Sequence, residues 1–435
     1  MKSNIYQKRR AKLLGLMEKE SVAIIESATE KIRNNDVFYD YRQNSNFFYL
    51  TGHDEPDAVL ILTKKKGKNF SFFFTKEPSK IQETWTGPID NAAKLKKKLS
   101  VNICEYLPKI KDMVNDIIQG SDNVYHSLSA SSNLYTLVNK SIKSLEKKYR
   151  QGAHSPSKIF SLDKILHRMR LIKSQEEIKE IKKACLISVK AHKRLMKNCS
   201  PGMTEYQIEA ELMHEFHSSD AKEAYPSIVA SGKNACILHY TKNNSLLKNG
   251  QLLLTDAAAE YKNYASDITR TIPISGKFNK SQKLIYEIVL NAQKKAIKKC
   301  VVGNYWSDIH REAVRVLTKG LMDIGLIKGK LADAINKQKY EKFYMHSTGH
   351  WLGLDVHDPC EYSDGKKALK LKAGMVFTVE PGIYIKPQKS IPSIFHNIGI
   401  RIEDDILITS NGPVVLTSSL PKETNDIERI MSSNG

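Results

Sequence analysis

Short apolar runs and helically spaced apolar positions alternate along the first third of the chain. Residues 22–25, 58–63 and 70–74 are strand-like, whereas 94–99 and 133–145 space their apolar side chains as helices do. The mixture predicts an α/β domain. A polar stretch at 151–157, with Gly152 and Pro156, reads as a linker. Ser174 followed by Glu177 is a capping-box signature ahead of a long amphipathic helix, which puts the boundary near residue 165 and gives domains 1–165 and 166–435.

Pro201, Gly202 and a Thr204/Gln207 pair announce a second helix in the later part of the chain. Strands and hairpins then alternate with helical stretches near 281–300 and 307–325, so this part reads as α+β. No short tandem repeat or low-complexity segment interrupts it.

At 435 residues the chain exceeds the roughly 250–300 at which single cores stop growing, in keeping with more than one domain. Its 41% hydrophobic and 26% charged residues are those of a globular protein. No apolar run approaches the ~18–20 residues that cross a bilayer, so no membrane partner is expected. Lys2, Lys8, Arg9 and Arg10 precede an apolar stretch at 13–17 that is too short for a signal sequence and meets Glu18 and Glu20. The six cysteines show no paired spacing, which argues against a disulfide framework and a zinc-thiolate site and suits a reducing cytoplasm. A net charge of +21 would fit a polyanion partner or a solvated lysine surface. Lysines dispersed through helical patterns, without a nucleic-acid-binding motif, favour the second, and no nucleic-acid partner is expected.

The candidate chemistry lies in four segments. Asp256 and Asp267 flank the turn-like run Tyr261-Lys262-Asn263-Tyr264. A hairpin centred between Tyr261 and Lys262 sets the two aspartates opposite each other, an unfavourable pairing unless a cation lies between them. Two solvated aspartates on an exposed hairpin are the competing reading. The second segment carries His346, His350 and His357 within twelve residues. The 346/350 spacing is that of a zinc-protease helix, but the adjacent glutamate is missing and Gly349 and Gly353 disfavour a helix. Each histidine alone suits a structural hydrogen bond as well as a ligand; their clustering favours function. Glu380 follows an apolar strand, and Arg401 and Glu403 fall on one face of another by alternation, the alternative being a surface strand with a salt bridge. Asp256, Asp267, His350, Glu380 and Glu403 together make a hard donor set suited to Mn(II), Fe(II) or Co(II). Four negative charges balance two divalent ions.

These residues resemble the Xaa-Pro aminopeptidase (aminopeptidase P) branch of the pita-bread metallopeptidases. The resemblance runs through Ile237-Leu238-His239-Tyr240, Thr255-Asp256, Asp267-Ile268-Thr269-Arg270-Thr271, the 346–358 stretch and Glu380-Pro381-Gly382-Ile383-Tyr384. In the N-terminal half it rests on Tyr41-Arg42-Gln43-Asn44-Ser45, Phe48-Tyr49-Leu50-Thr51-Gly52 and Glu55-Pro56. It implies a C-terminal pita-bread catalytic domain preceded by a smaller α/β N-terminal domain. It also implies hydrolysis of the first peptide bond of substrates with proline second, by a hydroxide bridging two divalent ions, with Mn(II) the expected metal.

By the same resemblance Asp256 holds one metal, Asp267 and Glu403 bridge, and His350 and Glu380 complete the other. Glu380 doubles as proton shuttle, and His239 and His357 stabilise the tetrahedral intermediate. His346, Tyr384 and Arg401 shape the proline pocket. Trp85 matches a tryptophan that reaches a neighbouring subunit's site in a homo-oligomer, dimer or tetramer; a buried core tryptophan is the alternative. Asn46 departs from the aspartate that many bacterial relatives carry, which puts oligomer-dependent substrate contacts in question. Methionine aminopeptidase would lack the N-terminal domain. Prolidase shares fold and ligands but cleaves only dipeptides, and the N-terminal run and the 351–357 stretch favour aminopeptidase P. Non-enzymatic pita-bread proteins that bind nucleic acid or histones have lost ligands, whereas all five stand here.

Overall fold

Five of the six residues of the strand Ser21–Glu26 are buried, as a strand covered on both faces requires. In the computed structural model, which describes residues 3–129 and 131–432, this strand is central to a six-stranded sheet. It pairs antiparallel with Val59–Lys65 and parallel with Asn123–His126. Lys68–Thr75 and Ile103–Tyr106 extend the sheet on one side and Lys158–Ser161 on the other. Val114, Ile117, Val138 and Leu145 of two helices close over Val22, Ile24, Ile61 and Phe74. The polar stretch at 151–157 is no linker. Gly120 N–H donates to the His154 carbonyl at 3.0 Å and Ser157 N–H to that of Asp122 at 2.9 Å, so the segment is a turn tied to the sheet. The chain divides into the compact units Met1–Met169 and Arg170–Gly435, with the junction inside the helix Leu162–Leu171.

Capping at Ser174 starts the long helix Gln175–Asn198 of the second unit: Glu177 N–H donates to Ser174 Oγ at 3.4 Å, and Ser174 N–H to Glu177 Oε2 at 2.9 Å. At the helix Glu205–Ser218, Gln207 Oε1 accepts from the backbone of Thr204 at 2.8 Å. Ile187, Leu195, Ile208, Leu212, Ile285, Val289 and Leu317 from four helices pack against Leu253, Ile272, Ile383 and Ile400 from strands. Each such burial contributes about 1.5–3 kcal/mol. Leu252–Asp256 is the middle strand of one three-stranded sheet, Asp404–Thr409 of another, and Gly382–Ile385 pairs with Ile398–Arg401.

Two registers differ from the sequence expectation. The hairpin turns on Lys262 and Asn263, both with positive φ (50° and 64°), the backbone that a two-residue hairpin loop needs. Tyr261 therefore faces Tyr264, and Asp256 faces Thr269 rather than Asp267. A slip of two keeps side chains on their face, so both aspartates still point the same way. Asp267 itself falls between the strands Tyr264–Ala265 and Thr269–Pro273. The strand carrying Arg401 also ends there: Ile402 and Glu403 form a break before Asp404–Thr409 begins in a different sheet. Both Arg401 and Glu403 are buried, which overturns the surface-strand alternative.

Candidate metal centre

A cavity of about 970 Å³ opens in the second unit where three strand ends and two breaks meet, and Asp256, Asp267, His350, Glu380 and Glu403 all line it. Asp256 is the last residue of its strand, and Glu380 lies in the gap between Val376–Val379 and Gly382–Ile385. His350 runs in non-helical chain beside the strand Val376–Val379: its N–H donates to Thr378 Oγ1 at 3.1 Å, and its carbonyl accepts from Thr378 N–H at 3.0 Å. Gly349 makes this approach possible, because a Cβ there would fall 2.0 Å from the Thr378 carbonyl oxygen.

The side chains converge. His350 Nε2 lies 3.3 Å from Asp267 Oδ2 and 3.6 Å from Glu380 Oε1. Its Nδ1 is 3.1 Å from the Trp351 carbonyl, which makes Nδ1–H a donor there and turns Nε2 to the carboxylates. Thr269 Oγ1 donates to Glu403 Oε2 at 2.6 Å, and Thr378 Oγ1 to Glu380 Oε1 at 3.2 Å. Arg401 is fully engaged, with Nη2 on Asp256 Oδ2 at 2.6 Å, Nε on Thr269 Oγ1 at 2.9 Å and Nη1 on Tyr384 OH at 3.0 Å.

Burial pushes Glu380 up to about 7 against the pull of His350 and Arg401. It likewise raises Glu403 and Asp256, helped by neighbouring carboxylates. His350 moves the other way from what burial alone would do: the Asp267 hydrogen bond and the Glu380 charge outweigh it and bring the ring to about 9. Carboxylates crowded in this way repel one another, and a multivalent cation relieves them. Donor atoms of Asp267, His350 and Glu403 lie within 4.8 Å of one another, so one ion can touch all three. Asp256 and Glu380 flank them, and the donor set fits divalent metal.

His239, His346 and His357 also line the cavity. His239 and His357 are exposed to it, and the His357 ring lies 4.0 Å from that of His350. His346 Nε2 is 2.9 Å from Tyr384 OH, and burial together with Arg401 lowers its pKa to about 3, so the ring is neutral. Tyr384 is buried behind His346 and Arg401 and is not among the lining residues. Trp85 belongs to the first unit, on the helix Lys80–Thr86, and is 83% exposed, which overturns the buried-core alternative. Asn46, also in that unit, donates to Asp163 Oδ1 at 3.0 Å. Two participants had no sequence signal of their own, Tyr225 and Thr378, and Thr269 stood only within the 267–271 run with no role given; all three reach the carboxylates.

The profile of Metallopeptidase family M24 matches residues 179–410, and that of the Aminopeptidase P, N-terminal domain, matches residues 6–125. The Xaa-Pro aminopeptidase of Escherichia coli is 40% identical over 428 residues, covering 98% of this chain and 97% of the relative. Among solved structures, Pseudomonas aeruginosa aminopeptidase PepP superposes with a TM-score of 0.97 at 42% identity, over 100% of this chain and 99% of that one. Aminopeptidase P from Escherichia coli with the inhibitor Pro-Leu gives 0.96 at 39%, with the same coverage. The fold is that of a metallopeptidase. The chain belongs to Metallopeptidase family M24, in the arrangement that carries an aminopeptidase P N-terminal domain.

Proposed function

We propose that this protein is an Xaa-Pro aminopeptidase, releasing the first residue of peptides whose second residue is proline. The observation that carries the reading is the convergence of Asp256, Asp267, His350, Glu380 and Glu403 in one cavity edged by His239, His346 and His357. Full-length similarity to the Escherichia coli Xaa-Pro aminopeptidase supports the substrate class. So does the Pro-Leu inhibitor of a related structure, which has the form of the product left when the residue before proline is removed.

Two divalent ions would be held by these five residues, Asp267 and Glu403 serving both, Asp256 one, and His350 and Glu380 the other. The oxygen-rich donors favour Mn(II). When bound, such a pair makes water nucleophilic at neutral pH and polarises the attacked carbonyl. Glu380, held at Oε1 by Thr378, takes the proton of the attacking water and returns it to the leaving proline nitrogen. His239 and His357 donate hydrogen bonds to the carbonyl oxygen as charge develops on it. His346 and Arg401 wall the proline pocket, and Tyr384, hydrogen-bonded to both, holds them from behind. Proline offers no N–H, so recognition falls to this shape.

The functional domains are 1–165, the aminopeptidase-P-type N-terminal domain, and 166–435, the catalytic domain. The helix Lys80–Thr86 buries none of its own residues and exposes Ile81 and Trp85, which suits a homo-oligomer, dimer or tetramer, with Trp85 reaching a neighbouring subunit's site. No helix among the described residues is long and apolar enough to cross a membrane. We assign the protein to the cytoplasm, without a nucleic-acid or membrane partner.

Hydrolysis of an Xaa-Pro-Yaa tripeptide beside the Xaa-Pro dipeptide tests the reading. Release of the first residue from the tripeptide is expected. Cleavage of the dipeptide alone would make the protein a prolidase.

A further inference from the structure

Tyr225 stands in the coil that leads from Lys222–Glu223 into the strand Ile228–Ser231. Its phenol oxygen lies 2.6 Å from Asp256 Oδ1 and 2.5 Å from Asp267 Oδ1. A phenol carries one proton, so it either shares that proton between the two carboxylates or donates to one and accepts from the other when that one is protonated. The three oxygens therefore share one short-range arrangement that fixes the distance between the two aspartates.

Three of the other donors have supports of their own. His350 is held by the Trp351 carbonyl, Glu403 by Thr269 and Glu380 by Thr378. Asp256 has only two partners on its carboxylate among the described residues, Arg401 on Oδ2 at 2.6 Å and Tyr225 on Oδ1. Removing the phenol leaves Asp256 anchored from one side and facing a like charge across the gap.

We propose that Tyr225 is a positioning residue for the metal pair: it sets the separation of Asp256 and Asp267, and its hydroxyl tightens the binding of the ion that Asp256 completes. The ion on the His350 and Glu380 side keeps the supports of His350, Glu380 and Glu403 and loses only the phenol's hold on Asp267. The inference rests on the two-ion reading given above, and outer-shell partners of this kind are worth about 10–100-fold in metal affinity.

Calorimetric titration of chelated protein with Mn(II), followed by electron paramagnetic resonance, tests it. Wild type is expected to bind two ions with a spin-coupled spectrum. Tyr225→Phe is expected to keep one ion at wild-type affinity, bind the second about 10–100-fold more weakly, and give an uncoupled spectrum at one equivalent. Tyr362→Phe removes a second phenol from the cavity, one whose oxygen accepts from Trp351 N–H at 3.3 Å, and is expected to bind two ions as wild type does. Should the Phe variant not fold, Tyr225→Leu takes its place. Two wild-type affinities in the Tyr225 variant, or equal weakening of both ions, would overturn the proposal while leaving the two-ion reading intact. Fewer than two ions in wild type would overturn that reading and the inference with it.

Discussion

Asp358, next to His357 in the chain, lies 2.9 Å from Lys173 with both side chains buried. Arg170 reaches the same carboxylate at 2.5 Å and Asp355 at 2.6 Å. The cluster fixes the loop that presents His357 to the cavity. Burial opposes ionisation of Asp358, but Lys173 and Arg170 outweigh it and hold its pKa below the usual carboxylate value. A depressed folded pKa gives stability that is present above the unfolded value of about 3.9 and is lost as pH falls through the folded one. Asp358→Asn, which leaves buried cations short of a counter-charge, is expected to cost about 3–5 kcal/mol at pH 7. Urea unfolding at pH 7 and pH 3 checks this: the gap from wild type narrows at the lower pH. A gap of the same size at both would contradict the role given to the ion cluster.

Gly349 supplies the clearance beside Thr378, and any side chain there drives the His350 backbone off the strand. Gly349→Ala is expected to destabilise the protein by about 1–3 kcal/mol, as overpacking does. Metal affinity falls with it, because His350 moves. Thermal scans with and without Mn(II) read both effects, and a variant with wild-type values in each would refute the close approach.

The cavity makes a prediction about pH and metal together. Glu380, Asp256 and Glu403 have raised pKa values, so in metal-free protein they take up protons on folding and lower its stability as pH rises from their unfolded values through the folded ones. His350, raised to about 9, adds stability below its unfolded value that is lost as pH climbs toward 9. Both effects have the same sign. Metal reverses it by replacing the protons. The rise in Tm on adding Mn(II) should therefore be larger at pH 8 than at pH 6, and a smaller rise at pH 8 would count against these residues as ligands.

Glu380→Gln and His350→Ala should each reduce turnover by at least about 100-fold while leaving the fold intact, the first because proton transfer by a positioned group is worth about 10²–10⁴-fold, the second because it removes a metal ligand. Steady-state kinetics beside circular dichroism separates the two outcomes. Near-normal turnover in either variant would remove that residue from the mechanism.

Much of the site is legible in the sequence because strand alternation survives small errors of register. Asp256 and Asp267 share a face whether the hairpin turns at 261–262 or at 262–263, although the turn itself needed the positive φ of Lys262 and Asn263 to be placed. Arg401 and Glu403 reach one cavity even though the strand breaks between them. Tyr225 was beyond reach, since it lies 31 and 42 residues from the carboxylates it touches and no periodicity links it to them. The polar run at 151–157 misled for a related reason: a turn pinned to a sheet and a free linker have the same composition.

The central claim is that this cavity is a metal-dependent Xaa-Pro aminopeptidase site, and one titration tests it most directly. Chelated protein is given Mn(II) stepwise while release of the first residue from an Xaa-Pro-Yaa tripeptide is followed. Negligible activity without metal, rising as ions are added and levelling at two per chain, is the expected result. Full activity in the presence of chelator, or none under any divalent metal, would contradict it.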